Sequence, residues 1–170
     1  RRQRQMCIRD RYDIVILDSV LNSITSLEMQ HNVLLACNSL LKDNGTLILG
    51  TRSLGKATTT MKSKQATNRK RDIEFLDDEK FSVTFRNGVW TKQRFTTKKQ
   101  LQQELMPYFK DIETLGNETR SNIYAICKNP VRFSNEEYKK ALNIEFNMTY
   151  PNGFKHNKHS ELINTILTNL

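Results

Sequence analysis

The chain has 170 residues, 37% of them hydrophobic and 26% charged, with a formal net charge of +9 at pH 7. That length suits one ordinary domain with its own core, and the composition is that of a globular protein. No apolar run approaches the roughly 18–20 residues of a membrane-spanning helix, and the basic start lacks the apolar stretch of a signal peptide, so the expected location is cytoplasmic.

Residues 1–11 (RRQRQMCIRDR) have neither helical nor strand periodicity and abut a clean strand. They resemble the translated adapter sequence found at gene ends in metagenomic assemblies and are set apart from the fold as non-native; the alternative is a genuine basic arm. The segment holds five arginines and one aspartate, so four of the nine net charges lie in it. The remainder is moderately basic, which suits an anionic partner without naming one.

Tyr12–Asp18 (YDIVILD) is an apolar run rich in β-branched residues, predicting a central strand buried on both sides. A polar turn (residues 19–26) follows, and Ser26 or Thr25 is placed to cap a helix through Lys42. Leu27, Leu34, Leu35 and Leu41 fall at helical spacing on it, with Gln30, Asn38 and Lys42 facing water. Asp43-Asn44-Gly45 reads as the helix stop, with the glycine in the left-handed conformation. Residues 46–50 (TLILG) predict a second buried strand. Strand, helix and strand within about 40 residues make a βαβ unit and imply an α/β sheet.

Residues 52–71 are polar, basic and without apolar periodicity, predicting a surface loop or an anion-binding lid over residues 56–71. Phe81–Arg86 and residues 89–96 flank Asn87-Gly88, a strong hairpin signal because both turn positions need positive φ. Thr97 then caps a helix expected to run to Phe109, with Leu101, Leu105, Met106 and Phe109 on one face. Residues 111–115 and 122–127 predict a final pair of strands. Beyond Pro130 a separate helical piece begins, with helices expected over residues 135–147 and 162–167. Cys37 and Cys127 lie in apolar runs and read as buried free thiols. His156 and His159 lack a thiol or carboxylate cluster and read as part of a solvated tail.

Residues 12–53 resemble class I S-adenosylmethionine-dependent methyltransferases. YDIVILDSVLNSI, followed by a helix ending NSLLKDNGTLILGTR, looks like the fourth strand, following helix and fifth strand of that family. Asp13, Asp18, Val20-Leu21, Ile24, Leu40-Leu41-Lys42 and Gly45 fill the family's places, and the later order of helix and paired last strands also fits, covering residues 12–129. The resemblance implies an α/β fold: a partial Rossmann-like methyltransferase sheet from the fourth strand onward, an inserted β-hairpin, and a helical C-terminal tail over residues 130–170. Around EFNMTYPNG (residues 145–153) the tail resembles methyltransferases found beside ParB-like nuclease domains and phage DNA functions.

Ligands in open α/β sheets bind outside the carboxyl ends of the strands. By resemblance, Asp18 and Ser19 line the methionine part of S-adenosylmethionine, with the turn of Val20 and Asn22 beside it. A carboxylate there attracts the ammonium or sulfonium charge; the bland alternative is that Asp18 caps its turn. Arg52 and Trp90 are candidate substrate contacts, the latter as a stacking platform with Arg86, Lys92 and Arg94 near it. No general base stands out, and in-line methyl transfer leans on alignment. The family's glycine-rich turn and the ribose-binding acidic residue are absent, and are expected upstream of Tyr12, so the segment alone is expected to bind the cofactor poorly and to be inactive. The methyl acceptor is unknown, with nucleic acid among the candidate classes. The alternative function is a non-catalytic nucleic-acid-binding module on a degenerate α/β fold, with salt-sensitive binding. A nicotinamide-dependent reductase fits the order of elements less well.

Overall fold

A computed structural model describes residues 11–67, 73–78, 80–86, 88–155 and 157–170, with backbone alone for 64–67, 73–74 and 84–86. In chain order the elements are β1 (Tyr12–Asp18), a 3-10 turn (Leu21–Ser23), α1 (Leu27–Ser39), β2 (Leu41–Arg52) and α2 (Leu54–Thr67). Then come β3 (Ile73–Phe75), β4 (Phe81–Arg86), β5 (Val89–Arg94), α3 (Lys98–Leu105), β6 (Phe109–Leu115), β7 (Asn122–Pro130), α4 (Asn135–Phe146) and α5 (His159–Thr168). The fold is mixed α/β. One sheet has the order β1-β2-β7-β6, and a second, antiparallel sheet is β3-β4-β5.

β1 and β2 pair in parallel, with Val15 opposite Leu47 and Asp18 opposite Gly50. β7 lies antiparallel between β2 and β6, so β1, β2 and β6 run the same way. Alternation along the strands splits the large sheet into two unlike faces. Leu17, Leu47, Leu49, Ile123, Ala125 and Cys127 point to one face, where Leu34 and Leu35 of α1, Leu101 and Leu105 of α3, and Leu142 of α4 close the core. Each such side chain contributes roughly 1.5–3 kcal/mol by leaving water. On the other face Ile14 and Ile16 are 57% and 67% exposed. β1 is thus an edge strand among the described residues and is buried on one side only.

The tail packs directly on this core. Tyr138, Ala141 and Leu142 of α4 and Ile163 and Ile166 of α5 are buried in the same cluster. A polar lock sits at the joint: fully buried Asn38 donates from Nδ2 to the Tyr108 carbonyl at 2.9 Å and accepts from the Tyr138 hydroxyl at 2.5 Å. Arg132 donates to the carbonyls of Asn38 and Leu41 at 3.0 and 2.8 Å and pairs with Asp43 at 2.6 Å. Arg11 pairs with the same carboxylate at 3.0 Å, and hydrogen bonds from the two guanidinium groups hold Asp43 below the usual carboxylate range. Ser134 and Glu137 form a capping box at the start of α4. Cys37 and Cys127 are buried free thiols, pushed up to about 12 by desolvation and so held neutral; Cys7 and His156 lie outside the described residues.

Several sequence expectations change. α1 ends at Ser39, not Lys42, because Asn38 and Ser39 turn inward and the chain rejoins β1 at Leu41. Gln30 and Asn38 are buried and do not face water. Residues 42–45 form an irregularity within β2 where the register to β1 shifts. Gly45 serves there by close approach, since a Cβ would meet the carbonyl oxygens of Lys42 and Tyr12 at 2.9 and 3.0 Å, and it is not among the left-handed glycines. The segment expected to be a loop carries α2 as far as Thr67. The hydroxyl of Ser53 accepts from the Lys56 amide, and Thr58 and Thr59 bond back to the carbonyls of Leu54 and Gly55. Residues 68–71 of that segment lie outside the described residues. α3 ends at Leu105; Met106 is exposed and Phe109 opens β6. β5 ends at Arg94, two residues early, and Gly88 has φ +79° as its turn demands, Asn87 lying outside the described residues. No helix among the described residues is long and apolar enough to cross a membrane.

Candidate ligand site at the end of the parallel strands

β1 and β2 both end at the same rim of the sheet. There the open face gathers Asp18 from β1, Gly50 and Arg52 from β2, and Asn122 and Tyr124 from β7, through the pairs Asp18–Gly50, Gly50–Tyr124 and Arg52–Asn122. Gly50 makes the arrangement possible. A Cβ at that position would overlap Asp18 Oδ1 and meet Tyr124 Cε1 at 3.0 Å, so the missing side chain lets carboxylate and ring converge over bare backbone.

The chain leaves β1 under constraint. Ser19 has φ +58°, uncommon for a residue with a side chain, and is held by its amide donating to the Gly50 carbonyl at 2.9 Å. Its hydroxyl donates to Asp18 Oδ1 at 3.2 Å. Such conformations cluster at ligand sites and cost of order 1–3 kcal/mol. Asp18 is exposed at the rim, Ser19 is half-buried, and Val20 is 39% exposed. Asn22 is turned inward: it is 3% exposed, and its Oδ1 accepts no hydrogen bond among the described residues. It lines a small void with Thr51, Thr96 and Arg94 beneath the turn.

Arg52 lies at the rim with its guanidinium donating to Asn122 Oδ1 at 3.0 Å. The exit of β5 is stitched to the end of β2, since Thr96 donates to the Arg52 carbonyl and Leu54 donates to that of Thr96. This places the hairpin beside the parallel strand ends. Trp90 is 57% exposed on it, and Lys92 is also exposed, with its ammonium 4.6 Å from the Phe81 ring centre. Arg94 shares the Phe81 ring with Lys92, its guanidinium 5.8 Å from the ring centre, but is not part of the exposed surface. It is 9% exposed and turned under the hairpin, paired with Glu104 of α3 at 2.7 Å.

Sequence reasoning missed Gly50, Tyr124 and Gln30 as parts of this region, and it set Arg94 on the Trp90 platform and not in the ion pair with Glu104. Gly50 has no left-handed turn to betray it, and Tyr124 enters only through the β2–β7 register. Gln30 looks like any surface residue of an amphipathic helix. The signal available for Arg94 was weak: it shares a strand face with Trp90 and Lys92 but lies nearest the sheet.

No family model matches this sequence, and no curated protein matches it. Among solved structures, the chain is similar to the PH0226 protein from Pyrococcus horikoshii OT3, with a TM-score of 0.50 and 15% identity over 74% of this chain. The likeness is one of fold. The match covers 58% of the length of that protein. An S-adenosylmethionine-dependent methyltransferase from Clostridium acetobutylicum ATCC 824 also aligns, at 13% identity and a TM-score of 0.43, over 71% of this chain and 59% of its own.

Proposed function

We propose that the chain corresponds to the fourth strand onward of an S-adenosylmethionine-dependent methyltransferase domain, with Asp18, Ser19 and Val20 lining the methionine end of the cofactor. The observation that carries the reading is the cradle at the end of β1: an exposed carboxylate seated over Gly50 and followed by Ser19 at positive φ. The motif resemblance over residues 12–53 and the paired last strands point the same way. When bound, the cofactor supplies an electrophilic methyl group on a sulfonium. The chain's own part is to attract its positive charge through Asp18, to hold the turn of residues 20–24 beside it, and to present the hairpin from the acceptor side. Asn22 supports the turn from beneath. Arg52 and Trp90 are proposed acceptor contacts, Arg52 by charge and Trp90 by stacking; the acceptor's class is open.

The test is a titration of the ¹⁵N-labelled chain with S-adenosylmethionine and with S-adenosylhomocysteine, which lacks the sulfonium charge. Weak, saturable shifts are expected at the amides of residues 18–22, stronger for the charged ligand. Asp18→Asn should abolish that preference. Shifts absent from these residues, or indifferent to the Asp18 change, would sink the reading.

The exposed Trp90 with Lys92 favours a second reading, a single-stranded nucleic-acid surface on the hairpin. Trp90 is the single tryptophan of the chain, so its fluorescence reports directly. Quenching by an oligonucleotide that weakens steeply with salt supports this reading, and unchanged fluorescence at low salt discards it.

A further inference from the structure

The 3-10 turn after β1 closes with the Ile24 amide donating to the Leu21 carbonyl at 3.2 Å, and the carbonyls at the end of such a turn take further donors from elsewhere. One buried side chain supplies them. Gln30 of α1, 7% exposed, donates from Nε2 to the Leu21 carbonyl at 3.1 Å and to the Ile24 carbonyl at 2.9 Å. Its remaining oxygen, Oε1, accepts from Arg94 Nη1 at 3.2 Å. With two carbonyls on one side and a guanidinium on the other, only this orientation of the amide satisfies all three. Arg94 in turn donates from Nη2 to Glu104 at 2.7 Å. A continuous polar path therefore joins the turn beside Asp18, helix α1, the last residue of the hairpin and helix α3, through groups that are mostly out of water, where such bonds are strongest and their loss most costly.

We propose that Gln30 and Arg94 are positioning residues that tie the hairpin to the turn of residues 20–24, so that the acceptor side and the cofactor side of the site hold one geometry. The functional half of this rests on the cofactor reading of that turn; the mechanical half does not. Gln30 is the branch point. Gln30→Glu keeps an acceptor for Arg94 but removes both donors to the turn, whereas Arg94→Met leaves the donors and removes the link to the hairpin. Glu104 is half-exposed, so losing Arg94 leaves a carboxylate that still reaches water.

Native-state hydrogen exchange on the whole chain tests the mechanical half. The amides of Ser23 and Ile24, which donate to Val20 and Leu21 within the turn, are expected to exchange about tenfold faster in Gln30→Glu and about threefold faster in Arg94→Met. Those of Leu49 and Ile123 in the sheet should stay within about twofold. The double variant should be no faster than Gln30→Glu alone, because both act along one path. Unchanged turn amides, a uniform rise that includes Leu49 and Ile123, or additive effects would each overturn the proposal. S-adenosylhomocysteine then tests the functional half: its apparent Kd should rise about tenfold in Gln30→Glu, and an unchanged Kd with a loosened turn overturns the positioning role. Should the wild-type chain show no ligand shifts at all, the cofactor reading fails while the exchange data still decide the link between hairpin and turn.

Discussion

The two faces of the four-stranded sheet come from the same strands and have opposite characters. On the closed face Leu47, Leu49, Ile123 and Ala125 are fully buried beneath four helices, and the tail helices are locked to α1 by Asn38 and Tyr138. On the open face Ile14 and Ile16 are mostly exposed and Tyr124 is 38% exposed. The strands cannot differ in propensity between their own faces, so the contrast lies in what each face packs against. Stability is concentrated on the closed side, and the open side is left for contact with something else. The candidate site sits at the rim of that open side, where Asp18 and Tyr124 meet over Gly50 and burial does not compete with chemistry.

Substitutions that probe each face should separate these roles. The largest effect is expected from Leu142→Ala, which empties a fully buried position between α4 and the core: about 3–4 kcal/mol lost in urea unfolding. A much smaller loss would mean that the tail is only loosely applied to α1. Asn38→Ala should cost about 2–3 kcal/mol, because it strips a partner from both the Tyr138 hydroxyl and the Tyr108 carbonyl in a dry setting. Tyr138→Phe should cost a similar amount, since it removes both the bond to Asn38 and the one the hydroxyl accepts from the Phe133 amide at 3.1 Å. At the rim, Gly50→Ala should cost about 1–2 kcal/mol. The new methyl forces Asp18 to swing aside, and side-chain carboxyl shifts of Asp18 should move while those of Asp111 do not. A Gly50→Ala chain with Asp18 unmoved would contradict the cradle.

Much of this was legible in the sequence, and the failures have physical causes. β-branched runs and helical spacing announced β1, α1, α4 and the hairpin, because burial of one face leaves a period. Thr97 was recognisable as a cap, and its capping box with Gln100 is present. The boundary of α1 was misplaced because Asn38 and Lys42 look alike to a reading that sorts polar from apolar. Asn38 is polar and buried since its partners come from Tyr108 and from Tyr138, 70 and 100 residues away. Helix α2 escaped because its threonines, weak helix formers, are satisfied by bonds to their own preceding turn. At the candidate site, the place of Asp18 and Ser19 at the rim was legible because they end a strand, whereas the places of Tyr124 and Arg94 depend on strand register and on an ion pair to another element, which no local pattern encodes.

The smallest effect on stability, and the sharpest test of the comparison, is expected at Ile16. Its side chain is already 67% exposed, so Ile16→Lys removes little buried area and should change the unfolding free energy by no more than about 0.5 kcal/mol. Association should respond very differently. Among the described residues β1 is an edge strand with two neighbouring isoleucines on one face, a combination that invites strand-to-strand contact between chains, and a lysine on the edge is one of the devices that blocks it. The wild-type chain is expected to self-associate as its concentration rises in analytical ultracentrifugation, and Ile16→Lys to stay monomeric over the same range. A wild-type chain that sediments as a monomer throughout, or a lysine variant that associates just as strongly, would show that the open face is not a sticky one. In the expected case an exposed side chain worth almost nothing to the fold governs what the fold meets.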